Sequence, residues 1–177
     1  MVYAGRLVPW KGVAMLIKAV KELKKNQPNI IFEILGDGPE EAKLKELAGN
    51  LGLSENVIFR GRVSEEDSHK IFSRSTAFVL NTNYEGLPHS VLNAMRSGLP
   101  VITTLIDGNL EIIRDGVNGL LAPYNKLEDW LIAINKLLNN QELQQEFSRN
   151  GLETVKNFKW SDVVEKTSVL ISGFAKK

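Results

Sequence analysis

Short apolar runs alternate with amphipathic stretches along most of the chain, and the alternation predicts its elements. Met1 to Ala4, Ile30 to Leu35, Val57 to Phe59, Ala77 to Leu80, Pro100 to Thr103 and Asn118 to Leu121 have the form of buried strands. Between the first two, Val13 to Lys25 places Val13, Leu16, Ile17, Val20 and Leu23 at the spacing of a helix with one buried face. Glu40 to Leu51 predicts a second helix with lysines and glutamates outward, and Ser64, followed by Glu65-Glu66-Asp67, caps a third. Val91, Leu92 and Met95 mark one side of a fourth, and a short helix is expected near Leu110 to Arg114. Lys126 to Leu138, Gln141 to Lys156 and Ser161 to Phe174 form a helical C-terminal extension, with Trp130 and Trp160 as packing anchors. Strand-helix alternation argues for an α/β protein whose six-stranded, mostly parallel sheet is covered by helices on both faces. No repeat, low-complexity segment or linker divides it, so residues 1–177 read as a single domain.

Composition narrows the function classes. Twenty-two basic and 21 acidic side chains leave a formal charge of +1, so no global field points to nucleic acid. The chain has no cysteine and only two histidines, His69 and His89, which disfavours a disulfide framework and a histidine-rich metal site. No apolar run reaches the roughly 20 residues needed to cross a bilayer, and the N-terminus lacks a signal-peptide pattern. The chain reads as soluble.

Candidate chemistry collects at strand-to-helix turns. After Ala77 to Leu80 comes Asn81-Thr82-Asn83-Tyr84-Glu85-Gly86-Leu87-Pro88, which feeds a helix whose first N–H groups can hold an anion. Glu85, Gly86 and Leu87 are thereby placed to meet a phosphorylated ligand; by itself the segment also fits an ordinary helix start with Glu85 complementing the dipole. Arg6 and Lys11 follow the first strand between Gly5 and Gly12 and offer a clamp for a diphosphate, or two solvated cations beside a turn. Gly36-Asp37-Gly38-Pro39 fits a tight turn with proline at a helix start. Neither the P-loop lysine motif nor the dinucleotide glycine fingerprint is present.

Taken in order, Gly5-Arg6-Leu7 with Lys11-Gly12, Gly36-Asp37-Gly38-Pro39, Val57 to Val63, Tyr84-Glu85-Gly86-Leu87-Pro88, Ala94-Met95, Gly98 to Ile102, Glu111 to Gly119 and Phe158 to Ser161 resemble the C-terminal half of a family 4 retaining glycosyltransferase of the GT-B fold. The resemblance spans nearly the whole chain. It implies a Rossmann-like, doubly wound domain that binds a UDP-, GDP- or ADP-sugar, with Arg6 and Lys11 on the diphosphate and Glu85 on a sugar hydroxyl. It also implies Gly36 at the site, the backbone of Gly86, Leu87 and Pro88 against sugar and phosphate, and Arg62 and Val63 beside the base. Glu85, Arg6 and Lys11 are the expected catalytic groups; no cofactor or metal is expected, since the cations and the helix end stabilise the leaving charge.

Two positions depart from the family pattern. The second family glutamate, which holds the ribose hydroxyls, is Asn93 here, a change worth about 1 to 3 kcal/mol of donor binding. The family's paired glycines after the fifth strand appear as Asp107-Gly108. The resemblance further implies an acceptor domain outside this chain, which reads as an excised piece of a longer protein. Its acceptor is a glycan or lipid-linked sugar, and its setting is cytoplasmic, with peripheral membrane association of the intact enzyme left open. A catalytically inactive nucleotide-binding module and a nucleotide-sugar epimerase of GT-B architecture are the alternatives.

Overall fold

The computed structural model describes residues 1–158; the expected helix at Ser161 to Phe174 and Trp160 lie outside them. Six strands, β1 (Val2–Ala4), β2 (Phe32–Leu35), β3 (Val57–Gly61), β4 (Phe78–Leu80), β5 (Val101–Thr104) and β6 (Leu120–Ala122), form one sheet in the order β3-β2-β1-β4-β5-β6. Every pairing is parallel. All six carboxyl ends therefore share one edge. The strand order reverses between β1 and β4, and at that point the loops leaving the two strands part to opposite faces and open a crevice.

The helices are α1 (Val13–Leu23), α2 (Glu41–Asn50), α3 (Glu65–Ser73), α4 (His89–Arg96), α5 (Asp107–Leu110), α6 (Leu127–Leu138) and α7 (Gln141–Thr154). α1 packs on α2 and α6, and α4 packs on α3 and α7. β2, β4 and β5 are buried along their whole lengths, which explains why they read as continuous apolar runs rather than as alternating ones. The one charged side chain in these strands, Glu33, accepts from Arg60 Nε at 2.8 Å and Arg74 Nη2 at 2.6 Å. Trp130 is fully buried and donates its indole N–H to the Pro123 carbonyl at 3.0 Å, as its anchoring role required. Ser64 caps α3 by accepting from the Asp67 amide at 3.0 Å.

Several boundaries differ from the sequence expectation. The short helix occupies Asp107–Leu110, not Leu110 to Arg114. Asn118 accounts for the shift: its Oδ1 accepts from the Arg114 amide at 2.7 Å and its Nδ2 donates to the Ile112 carbonyl at 3.0 Å, holding that segment as a turn. β3 runs on to Gly61, whose carbonyl accepts from the Gly36 amide at 2.7 Å. Pro39 lies in the turn before α2, which begins at Glu41. α7 ends at Thr154, and Val155–Asn157 tightens into a 3₁₀ turn. Among the described residues no helix is long and apolar enough to cross a membrane.

Candidate functional site

Two loops face each other across the β1/β4 crevice. The first leaves β1 at Gly5, makes a 3₁₀ turn over Pro9–Lys11 and enters α1 through Gly12, whose φ of 50° is left-handed. The second runs from Asn81 to Pro88 and enters α4. Lys11 and Glu85 are 74 residues apart in sequence, yet Lys11 Nζ donates to Glu85 Oε1 in an ion pair. Their side chains are 14% and 16% exposed, so the pair sits in the crevice wall, not in open solvent.

Uncharged groups set the spacing of the loops. Asn81, fully buried at the end of β4, donates through Nδ2 to the Gly12 carbonyl at 2.9 Å and to Asn125 Oδ1 at 2.7 Å. Its Oδ1 accepts from the Asn125 amide at 3.0 Å. A Cβ on Gly12 would fall 2.1 Å from that Asn81 amide nitrogen, so glycine here serves both the backbone turn and the brace. The Asn83 amide donates to the Trp10 carbonyl at 2.9 Å, which ties the residue before Lys11 to the Glu85 loop. From behind, Gly108 presses its backbone on the loop: a Cβ there would lie 1.8 Å from the Gly86 carbonyl oxygen. Sequence reading placed Asp107-Gly108 as a variant of paired glycines, and the second of the two is the one that the packing requires. Asp107 is exposed on the first turn of α5.

Tyr3 completes the floor. Its hydroxyl, on a fully buried ring, donates to the Arg6 carbonyl at 2.8 Å. Burial first, then the negative charge of Glu85, pushes the Tyr3 phenol well above its ordinary range, so it stays a neutral donor at any physiological pH. The Arg6 side chain is exposed and, among the described residues, forms neither an ion pair nor a hydrogen bond. α4 begins at Pro88 without a side-chain cap, and the amide of Ser90 finds no acceptor among the described residues. Lys11 and Glu85, ahead of this open helix end, and the exposed Arg6 together carry one net positive charge. A positive charge and an open helix start suit an anion.

The other expected residues lie along the same edge. Gly36 packs its backbone on the Gly5 carbonyl, and Arg62 Nε donates to Asp37 Oδ2 at 2.7 Å on the exposed rim. A cleft of about 680 Å³ opens between the end of β1, α3 and α4; Gly5, Val63, His69, Phe72, Ser90 and Asn93 line it. His69 Nδ1 and Ser97 Oγ, 2.7 Å apart, bridge its two helical walls. Pro88 is buried, Gly86 and Leu87 are exposed, and His89 is a surface residue. Thus Lys11 meets Glu85 in the loop ahead of α4, and Val63, Ser90 and Asn93 line one cleft, while Arg62 is turned to an exposed carboxylate. Tyr3, Asn81 and Arg96, whose Nη1 donates to Asn93 Oδ1 at 3.0 Å, were not singled out by sequence reading. For Asn81 there was a signal: a polar residue directly ending a buried strand.

Comparison with known proteins agrees with this fold. Residues 1–154 match the family model of glycosyl transferases group 1. A lipopolysaccharide core biosynthesis glycosyltransferase of Rhizobium meliloti is 32% identical, covering 85% of this chain and 43% of its own length. The alpha-D-kanosaminyltransferase of Streptomyces kanamyceticus is 31% identical over 85% of this chain and 39% of its own. The chain thus spans less than half the length of the curated relatives that it matches. Among solved structures, a variant of TarM from S. aureus, crystallised in complex with UDP and other ligands, superposes with a TM-score of 0.87 at 27% identity, covering 96% of this chain and 34% of TarM. With residues 1–154 matched and the GT-B architecture in place, the chain belongs to the glycosyl transferases group 1 family.

Proposed function

We propose that this domain binds a nucleoside-diphosphate sugar in the β1/β4 crevice and, as part of a longer two-domain enzyme, supports sugar transfer to an acceptor hydroxyl with retention at the anomeric carbon. One observation carries the reading: Lys11 and Glu85 meet across the strand-order switch, next to the uncapped start of α4. Arg6 and the α4 amides hold the diphosphate. An incoming phosphate oxygen competes with Glu85 for Lys11, and the carboxylate so released accepts from a hydroxyl of the sugar. As the glycosidic bond breaks, negative charge grows on the leaving diphosphate, where Arg6, Lys11 and the helix end already stand. The reaction needs no metal in this scheme. The leaving diphosphate takes the acceptor's proton. The complex of TarM with UDP supports the choice of ligand class.

The acceptor, a glycan or lipid-linked sugar, would bind the other domain of the intact enzyme. Calorimetric titration with UDP, GDP, ADP and their sugar conjugates tests the reading: saturable binding of one base class is expected, with no transfer by the 177-residue chain alone. Absence of binding by all three would refute the assignment, and transfer by the isolated chain would refute the division between domains.

A further inference from the structure

Behind the Glu85 loop runs a chain of hydrogen bonds whose direction the groups themselves settle. Thr82 of the loop, Thr104 at the end of β5 and Asn109 in α5 are all fully buried. Thr104 Oγ1 donates to the Thr82 carbonyl at 2.6 Å. A hydroxyl carries a single proton, so toward Asn109 the same oxygen accepts, and Asn109 Nδ2 donates to it at 3.0 Å. Nδ2 also donates to the Thr104 carbonyl at 3.0 Å, a group with no proton to give, which fixes the orientation of the amide. Thr82 in turn donates from Oγ1 to the Tyr84 carbonyl at 2.9 Å. The chain thus runs from α5 through β5 to the peptide that joins Tyr84 to Glu85.

The same single-turn helix also touches the next peptide. Gly108, adjacent to Asn109, packs so closely that a Cβ on it would lie 2.6 Å from the Glu85 carbonyl oxygen. Peptide units are planar, so holding the Tyr84 oxygen on one side and the Glu85 oxygen on the other sets both planes that flank the Glu85 Cα. With them is set the direction in which the Glu85 side chain leaves the backbone. We infer that Asn109 is a positioning residue for Glu85, acting through Thr104 and Thr82, and that it serves the grip on the donor's sugar rather than the binding of its nucleotide. The role rests on the reading in which Glu85 accepts from a sugar hydroxyl, and it names the device that aims the carboxylate. β5 supplies its own control: Thr103 is equally buried, but its Oγ1 donates to the Leu80 carbonyl at 3.0 Å, inside β4 and not in the loop.

The test is calorimetric titration of the chain with UDP, GDP and ADP and with their glucose, galactose, mannose and N-acetylglucosamine conjugates. In the parent chain, the affinity of the best conjugate divided by that of its bare nucleotide measures what the sugar contributes. Asn109→Leu and Thr104→Val should each lower that ratio by about fivefold to tenfold, the scale of one lost hydrogen bond, while bare nucleotide binding stays within about twofold. Thr104→Ser, which keeps the hydroxyl, should retain the parent ratio. Asn109→Leu is expected to fold: it also removes Asn109 Oδ1, which has no partner among the described residues, and the Thr104 carbonyl keeps the Ile106 amide at 3.0 Å. Thr103→Val loses a hydroxyl bond of the same kind and should leave the ratio unchanged, whereas a general loosening of β5 would lower it too. A ratio preserved in either Asn109→Leu or Thr104→Val, an equal loss for bare nucleotide, or an equal loss in Thr103→Val overturns the role of Asn109 and leaves the nucleotide reading intact. A parent chain that binds a nucleotide but gains nothing from any of the sugars does the same. If no nucleotide binds the parent chain, both fall.

Discussion

Of the carboxylates paired with cations among the described residues, the two least exposed are Glu33 and Glu85, and the difference between them separates scaffold from site. Glu33 lies in β2 and is held by two arginines, from β3 and from the end of α3. Its side chain is 9% exposed and its partners are carried by regular elements. Glu85 lies in a loop and meets one cation, itself in a loop, at a crevice next to an uncapped helix. The first gathers two cations on one oxygen, Oε1, within the fold. The second has a single cation, and in the proposed reading an incoming ligand divides the pair.

Substitutions can break the comparison. Glu85→Gln in the intact enzyme should lower turnover by about 10²- to 10³-fold, the scale of losing one electrostatic contact to a reacting centre, with an unchanged thermal midpoint for the domain. Steady-state kinetics beside calorimetric melting checks both halves. Glu33→Ala should do the reverse: about 1 to 3 kcal/mol less stability in urea unfolding, as two guanidinium groups lose their acceptor, with nucleotide affinity intact. A loss of affinity as large as that of a loop variant would erase the distinction. Arg6→Ala should weaken UDP, GDP and ADP alike by about tenfold, since a contact to the shared diphosphate is blind to the base. Arg62→Ala is the mild case: its partner Asp37 is on the exposed rim, so the stability change should stay under about 0.5 kcal/mol.

Legibility in the sequence follows the same division. Strands buried on both faces announce themselves as apolar runs, and α1 shows its buried face as a three-and-four spacing. The site was legible where a motif is local, as in Tyr84 to Pro88. It was illegible where a role depends on a neighbour distant in sequence. Asn81 becomes a brace only because Gly12 and Asn125 come within reach. Arg96 looks like a favourable charge at a helix end until its fork meets Asn93 and Phe158. The misplaced short helix has the same origin, since Asn118 bonds back to Ile112 and Arg114 and no propensity of residues 110–114 reports that.

By itself, the sequence determined the parallel α/β architecture and the set of loops that carry charge, because burial and periodicity are local properties of composition. The tertiary structure alone decided that Lys11 meets Glu85, that Arg62 turns to Asp37 and that Arg96 donates to Asn93. Those outcomes depend on which strand ends lie side by side and which polar groups find partners there first, and a one-dimensional pattern does not record distance in space.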